Sequence, residues 1–290
     1  MRFARRLIAA DPVEQDGLAT YWRDGYAIIR RFFSTSEIEA IAAALDQLHA
    51  EGAAHGRCFR HGNLFYNVGR AGDGEPLVRM VQWPSYHQPL LNEVRLDGRF
   101  ADLLKPLIGG TLKQIINQVH WKAPGSPGDF AWHQDSRFRR PVSAYRHLAT
   151  SYVQTGLAID PHTAQSGCMR LIPRSHLRGD LGMDCSKRVL GTAMNDAALD
   201  AVGLAAEDAV ELLLEPGDLA LWSPHLVHGS GRNRSHHSRR LYINGYVRAT
   251  DCDRGEWAFR NGASVPLGPK PALVHFEELL ELPGPHYPGD

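Results

Sequence analysis

From about residue 111 onward the chain changes texture, and that change constrains the fold more than any other feature. Six strand-like runs follow one another: TLKQIINQVHWKA, ATSYVQTGLAID, CMRLIP, AVELLLE, DLALWS and RLYINGYVRA. Turn signals such as PGSPGD, PHTAQSG and EPGD punctuate them. Many short strands behind a helical N-terminal portion predict a β-sandwich or barrel with helices packed on it.

The helical portion is read from its own signals. YAIIRRFF, at 26–33, has the character of a short strand. In the STSEIEAIAAALDQLHA that follows, Ser34 and Glu37 occupy capping-box positions, and Ile38, Ile41, Leu45 and Leu48 recur at helical spacing. A second helix is expected across PLLNEVRLDGRFADLLKPLIG, broken or bent near Gly98 and ended by Gly109–Gly110. With no repeat and no linker, residues 1–290 read as one domain. Its parts are a helical portion to about residue 110, a β core over about 111–250 and a Pro-rich tail. Residues 181–209 are expected to be an excursion over the surface.

Formal net charge is zero, so no global field favours nucleic acid or an anionic membrane. The four cysteines, Cys58, Cys168, Cys185 and Cys252, form no C-x-x-C, which argues against a zinc knuckle or a disulfide framework. They are expected to be apolar fillers. The apolar run Leu7–Ala10 is too short for a signal segment, and no stretch has the length of a membrane span. The expectation is therefore a cytoplasmic protein that acts on a small molecule, with its oligomeric state open.

Histidine, at 15 residues, is the chemistry-bearing residue to follow. In FAWHQDSRF, His133 and Asp135 stand two apart; on extended backbone such residues share a face, roughly 7 Å apart along the chain. Downstream, His228 opens HGS just after a strand, and Arg239 follows eleven residues later at the start of another. Two histidines and a carboxylate make the facial triad of non-haem iron(II) oxygenases, which leaves the opposite metal face open. A 2-oxo acid that filled it would need a buried partner for its distant carboxylate, and a guanidinium suits that task.

The ordered set WRDGYAIIRRFFSTSEIEAI, VHWKAPGSPGDFAWHQD, SGCMRLIPRSH and EPGDLALWSPHLVHGSG resembles the phytanoyl-CoA dioxygenase (PhyH) family of Fe(II)- and 2-oxoglutarate-dependent oxygenases. Arg174 departs from the family, where glycine is usual. The resemblance implies a mainly β fold, a double-stranded β-helix (jelly roll, cupin-like) core with α-helices outside. It implies His133, Asp135 and His228 as iron ligands and Arg239 as the 2-oxoglutarate anchor, supported by Ser230. Arg240, by alternation, faces the other way. Alternation also groups Gln118 with His120, and Tyr152 with Gln154 and Gly156; both sets are expected to face the barrel interior, Gln118 and Gln154 toward the cosubstrate.

The implied reaction consumes O2 and 2-oxoglutarate, releases succinate and CO2, and by default hydroxylates an unactivated C–H bond. Asp135 argues against halogenation, because related halogenases lack that carboxylate. For the substrate, His120, Tyr152, Arg60, Arg137 and Arg140 are the candidates, with Arg57, Arg139, Tyr145, Tyr66 and Asn67 nearby in sequence. They suggest a small polar metabolite or natural-product intermediate, carboxylate- or phosphonate-bearing, rather than a long acyl chain. Two other readings stay open: a cupin-like metalloenzyme that does not use 2-oxoglutarate, and a non-catalytic jelly-roll binding module. His236 and His237 read as a solvated turn, His176 as a brace, and Trp132 and Trp222 as core packing, with Trp132 the one placed to shield iron.

Overall fold

The structure, a computed structural model, describes residues 15–125, 129–183, 189–268 and 284–288. The elements run α1 (Gln15–Asp24), β1 (Tyr26–Ile29), α2 (Thr35–His55), β2 (Phe59–His61), β3 (Leu64–Arg70), β4 (Pro76–Gln82), α3 (Pro89–Arg95), α4 (Gly98–Ile108), β5 (Leu112–Lys122), β6 (Phe130–His133), α5 (Leu148–Ser151), β7 (Tyr152–Ala158), β8 (Met169–Leu171), α6 (Ala197–Asp200), β9 (Val210–Leu212), β10 (Leu219–Trp222), β11 (His228–Ser230), β12 (Arg239–Arg248), β13 (Glu256–Arg260) and β14 (Ala263–Ser264).

These strands build two antiparallel sheets. The larger runs β1-β10-β7-β12-β5-β4-β3-β2, with β13 also on β5 and β14 on β13; the smaller runs β6-β11-β8-β9. Between them lies an apolar core drawn from both: Ile116, Ala158, Ala220, Trp222, Leu241 and Ile243 from the larger sheet, Met169, Leu171 and Leu212 from the smaller. Two antiparallel sheets closed on a shared core are the double-stranded β-helix, or jelly roll.

The outer face of the large sheet carries the helices. α2 starts as its sequence dictates. The Ser34 side chain accepts from the Glu37 amide, Glu37 returns a carboxylate to the Ser34 amide at 2.7 Å, and Gly56 ends the helix at φ 69°. Its stripe Ile38, Ile41, Leu45 and Leu48 is buried in one cluster with Val78, Val81, Val119 and Trp121. Full burial of each such aliphatic side chain is worth roughly 1.5–3 kcal/mol. The second helix breaks as expected: α3 ends at Arg95, and Asp97 caps α4 by accepting from the Arg99 amide.

Two expectations need correction and one needs extension. The helical portion also holds β2, β3 and β4, which extend the large sheet from β5. Its signal was the alternating burial of LFYNVGR, where Leu64, Tyr66 and Val68 point to the core. The sheet also continues past residue 250, because β13 pairs with β5. Of residues 181–209, Met183, Val189 and Leu199 are buried, and Met183 and Leu199 pack on Trp132, Ile172 and Val227 outside the small sheet. The described part of that segment does run over the surface, and it also packs a second small core onto the outside of the small sheet. Cys168 and Cys252 are buried and Cys58 half-buried; Cys185 lies outside the described residues, as does most of the Pro-rich tail.

Candidate metal centre and cosubstrate face

The triad forms where the small sheet meets the turn after β6. His133 and His228 are direct register partners across the β6–β11 pair, with ring centroids 4.2 Å apart. Gln134 keeps extended backbone (φ −112°, ψ 137°), so Asp135 stays on the side of His133 even though a 3₁₀ turn begins there. Gln134 itself points away, donating to the Gly179 and His225 carbonyls at 2.8 and 2.6 Å and accepting from the Leu181 amide. These bonds pin the segment that presents both ligands.

Asp135 Oδ1 lies 3.7 Å from His133 Nε2 and 4.0 Å from His228 Nε2. One donor atom from each of the three residues falls within 4.8 Å of the others, and all three side chains are buried. Each imidazole is aimed by its other nitrogen: Nδ1 of His133 donates to the Ala131 carbonyl at 2.8 Å, and Nδ1 of His228 to the Leu226 carbonyl at 2.9 Å. Carbonyls only accept, so both Nε2 lone pairs are left for a metal. Burial, and then His228, pushes the His133 imidazole down to about 3, which keeps it neutral. Burial raises Asp135, but His228, His133, Arg139 and the Trp222 N–H outweigh it and hold the carboxyl below the ordinary range. The Trp222 indole donates to Asp135 Oδ2 at 2.8 Å, leaving Oδ1 on the imidazole side. Two imidazoles and one carboxylate suit Fe(II) and leave positions open.

Beside this tripod the inner face of the large sheet carries cations. Arg239 pairs in register with Lys122, so both side chains share a face with His120. Lys122 donates to Ser230 Oγ at 2.7 Å and to the Gly231 carbonyl at 2.5 Å; Arg239 donates to the Gly167 carbonyl at 3.0 Å. Neither meets a carboxylate within ion-pair distance among the described residues. Burial, and then the Arg239 charge, pushes the Lys122 amine down to about 6; burial lowers Arg239 to about 10. Arg239 Nε and His120 Nε2 are buried without a hydrogen-bond partner. Arg240 turns to the outer face, where it pairs with Asp160 and Asp46 at 2.8 and 2.7 Å.

The remaining sequence candidates separate. Gln154 accepts from the Tyr152 hydroxyl, and both are buried on the inner face. Gln118, half-buried, lies in register with Gln82, Phe65 and Arg60 across β4, β3 and β2, so Arg60 stands on the same face and stacks on Phe65 at 4.2 Å. Arg140 is exposed and donates back to the Arg139 carbonyl, and Arg137, half-buried, lies over the Phe138 ring. The structure does not bring Arg140 to the triad; Arg139 is the arginine buried there.

Trp132 faces the outer cluster and donates to Asp196, so Trp222, and not Trp132, is the indole at the triad. His176 bonds the Trp22 carbonyl, His236 and His237 are exposed, and His162 meets the Arg240 carbonyl at 3.2 Å. A cavity of about 520 Å³ lined by Gly167, Cys168, Arg170, Glu211 and Gly231, among others, includes none of the triad.

The family model for phytanoyl-CoA dioxygenase (PhyH) matches residues 21–241. The chain is 25% identical over 161 residues to the dioxygenase lolE1 of Epichloe uncinata, covering 56% of each chain. It is 22% identical over 220 residues to a methylphosphonate hydroxylase of Gimesia maris, covering 76% of this chain and 75% of that one. It is similar in fold to EctD from S. alaskensis, solved with 2-oxoglutarate and 5-hydroxyectoine: TM-score 0.65, 19% identity, 88% of this chain and 86% of that one. With the family model covering most of the chain and a buried His-Asp-His triad at its centre, this protein belongs to the phytanoyl-CoA dioxygenase family of Fe(II)- and 2-oxoglutarate-dependent oxygenases.

Proposed function

We propose that this protein uses Fe(II), 2-oxoglutarate and O2 to oxidise a C–H bond of a small polar molecule, with hydroxylation as the outcome. The observation that carries the reading is the buried Lys122–Arg239 pair, which the large sheet turns inward toward β11, where Lys122 reaches Ser230, two residues from His228. Two basic side chains buried side by side without a carboxylate cannot both be charged at low cost, as the lowered Lys122 shows, and a dicarboxylate lets both carry their charge. This counts against a cupin-like enzyme that does without a 2-oxo acid, for which the pair has no task.

His133, Asp135 and His228 would hold the iron. Bound there together with 2-oxoglutarate, the metal would supply the oxidising power of O2 activation, with succinate and CO2 as the coproducts. The chain's own residues do the rest. Arg239 binds the distant carboxylate through its planar fork. Lys122, seated by Ser230, adds a proton donor to the same group and is the side chain that changes protonation as the carboxylate arrives. Trp222 fixes which Asp135 oxygen faces the metal. Trp222, Leu241 and Ile243 exclude water from the floor. Gln118, His120, Arg60 and Tyr152 are left on this face to meet the substrate. The relative named for methylphosphonate hydroxylation supports a small polar substrate. The test is incubation with candidate substrates under isotopically labelled O2: a product that gains one labelled oxygen supports hydroxylation, and a product without it rules hydroxylation out.

A further inference from the structure

Arg139 is not absorbed by the metal or cosubstrate chemistry. Its side chain is 3% exposed, although arginine is seldom buried unless paired. Nη2 donates to the Tyr152 hydroxyl at 3.0 Å, and the guanidinium lies over the Tyr152 ring at 4.8 Å. Nε has no hydrogen-bond partner. Among the described residues no carboxylate comes within ion-pair distance of it. The one carboxylate whose charge reaches it is Asp135, four residues earlier on the same turn. Asp135 is a metal ligand, so its charge is committed elsewhere.

The surroundings are built rather than accidental. Tyr152 donates its hydroxyl proton to Gln154, which leaves the oxygen free to accept from Arg139. Gly245 pairs with Gln154 in register, and a Cβ there would collide with the Tyr152 hydroxyl. The missing side chain at Gly245 is what lets Tyr152 and Gln154 hold the guanidinium at the inner face. A purely structural arginine would have all its donors matched, since a buried unpaired charge is costly. A guanidinium with an unmatched Nε, beside the metal ligands, is a receptor for a planar or tetrahedral oxyanion.

We propose that Arg139 anchors an anionic group of the substrate, a carboxylate or a phosphonate, with Tyr152 positioning it. The inference rests on the oxygenase reading above and narrows its substrate class from polar to anionic. The anion sits at the Arg139–Tyr152 side of the inner face, apart from the Lys122–Arg239 pair that takes 2-oxoglutarate.

The test uses the full chain, held without O2 and loaded with Fe(II) and 2-oxoglutarate. It is titrated with matched probes: butanoate against butanamide, and ethylphosphonate against its diethyl ester. Two signals are read, the visible absorption of the iron chelate and the melting temperature. The anions are expected to shift both and the neutral partners neither; whether the carboxylate or the phosphonate responds identifies the group. Arg139→Gln should raise the half-saturating anion concentration at least about tenfold, the equivalent of one 1.4 kcal/mol step. Arg139→Lys should fall between, and Tyr152→Phe, which keeps the ring, should lose less than Arg139→Gln. The proposal is overturned if neither anion shifts the signals, if the neutral partners act equally, or if Arg139→Gln binds anions as the parent does. Failure of the chelate itself to form would overturn the oxygenase reading. Anion-dependent melting of the metal-free protein would still report on Arg139 in that case.

Discussion

Lys122 and Arg239 face each other as register partners at the mouth of the β5–β12 ladder, both buried and both on the side of the His-Asp-His triad. Their juxtaposition has a titration consequence. The Lys122 amine is pushed down to about 6, chiefly by burial and then by Arg239. At neutral pH it is therefore mostly uncharged in the free protein. A carboxylate placed against it raises its pKa, so binding takes up a proton. Binding is thus favoured below that window, and 2-oxoglutarate affinity should fall as pH rises above about 6. Calorimetry in two buffers of different ionisation enthalpy should show net proton uptake, and Lys122→Met should abolish it.

Arg239 and Arg240 are adjacent but lie on opposite faces. Arg239→Ala should raise the 2-oxoglutarate concentration needed for half-saturation about 10- to 100-fold, the worth of one charge-assisted contact, with metal still bound. Arg240→Ala should leave that concentration unchanged and cost about 1 kcal/mol of stability, read from denaturant midpoints. The reverse pattern would mean that β12 is read one residue out of register.

Trp222 holds Asp135 from behind. Trp222→Phe keeps an aromatic ring in the floor and removes only the N–H. Metal affinity should fall about 10- to 100-fold, as for loss of other groups that orient ligands. A Co(II) titration followed by absorption measures this without turnover.

Gly245 leaves room for the Tyr152 hydroxyl and Gln154. Gly245→Ala should destabilise the fold by about 1–3 kcal/mol through overpacking, measured by chemical denaturation.

The sequence was legible where periodicity carries direction. Alternation along β12 separated Arg239 from Arg240, and alternation along β5 put His120 inward. The same rule, taken two residues further along TLKQIINQVHWKA, reaches Lys122. Arg139 was harder: a 3₁₀ turn begins at Asp135, and neither a period of 2 nor one of 3.6 says where its last side chains point. Trp222 could be placed against Asp135 only by knowing that β10 pairs with β7 inside the barrel, a long-range fact absent from local pattern. β2 to β4 lie between two helical patterns that assign the whole stretch to a helical portion, although LFYNVGR alternates clearly.

The central claim is that the triad and the cation pair serve one reaction. The direct measurement is succinate formed from 2-oxoglutarate in air with Fe(II) and ascorbate, for the parent chain, Asp135→Ala and Arg239→Ala. The account predicts succinate from the parent, its loss in Asp135→Ala together with weakened metal binding, and its recovery in Arg239→Ala only at raised 2-oxoglutarate. A folded, metal-loaded parent chain that forms no succinate under any of these conditions would contradict it.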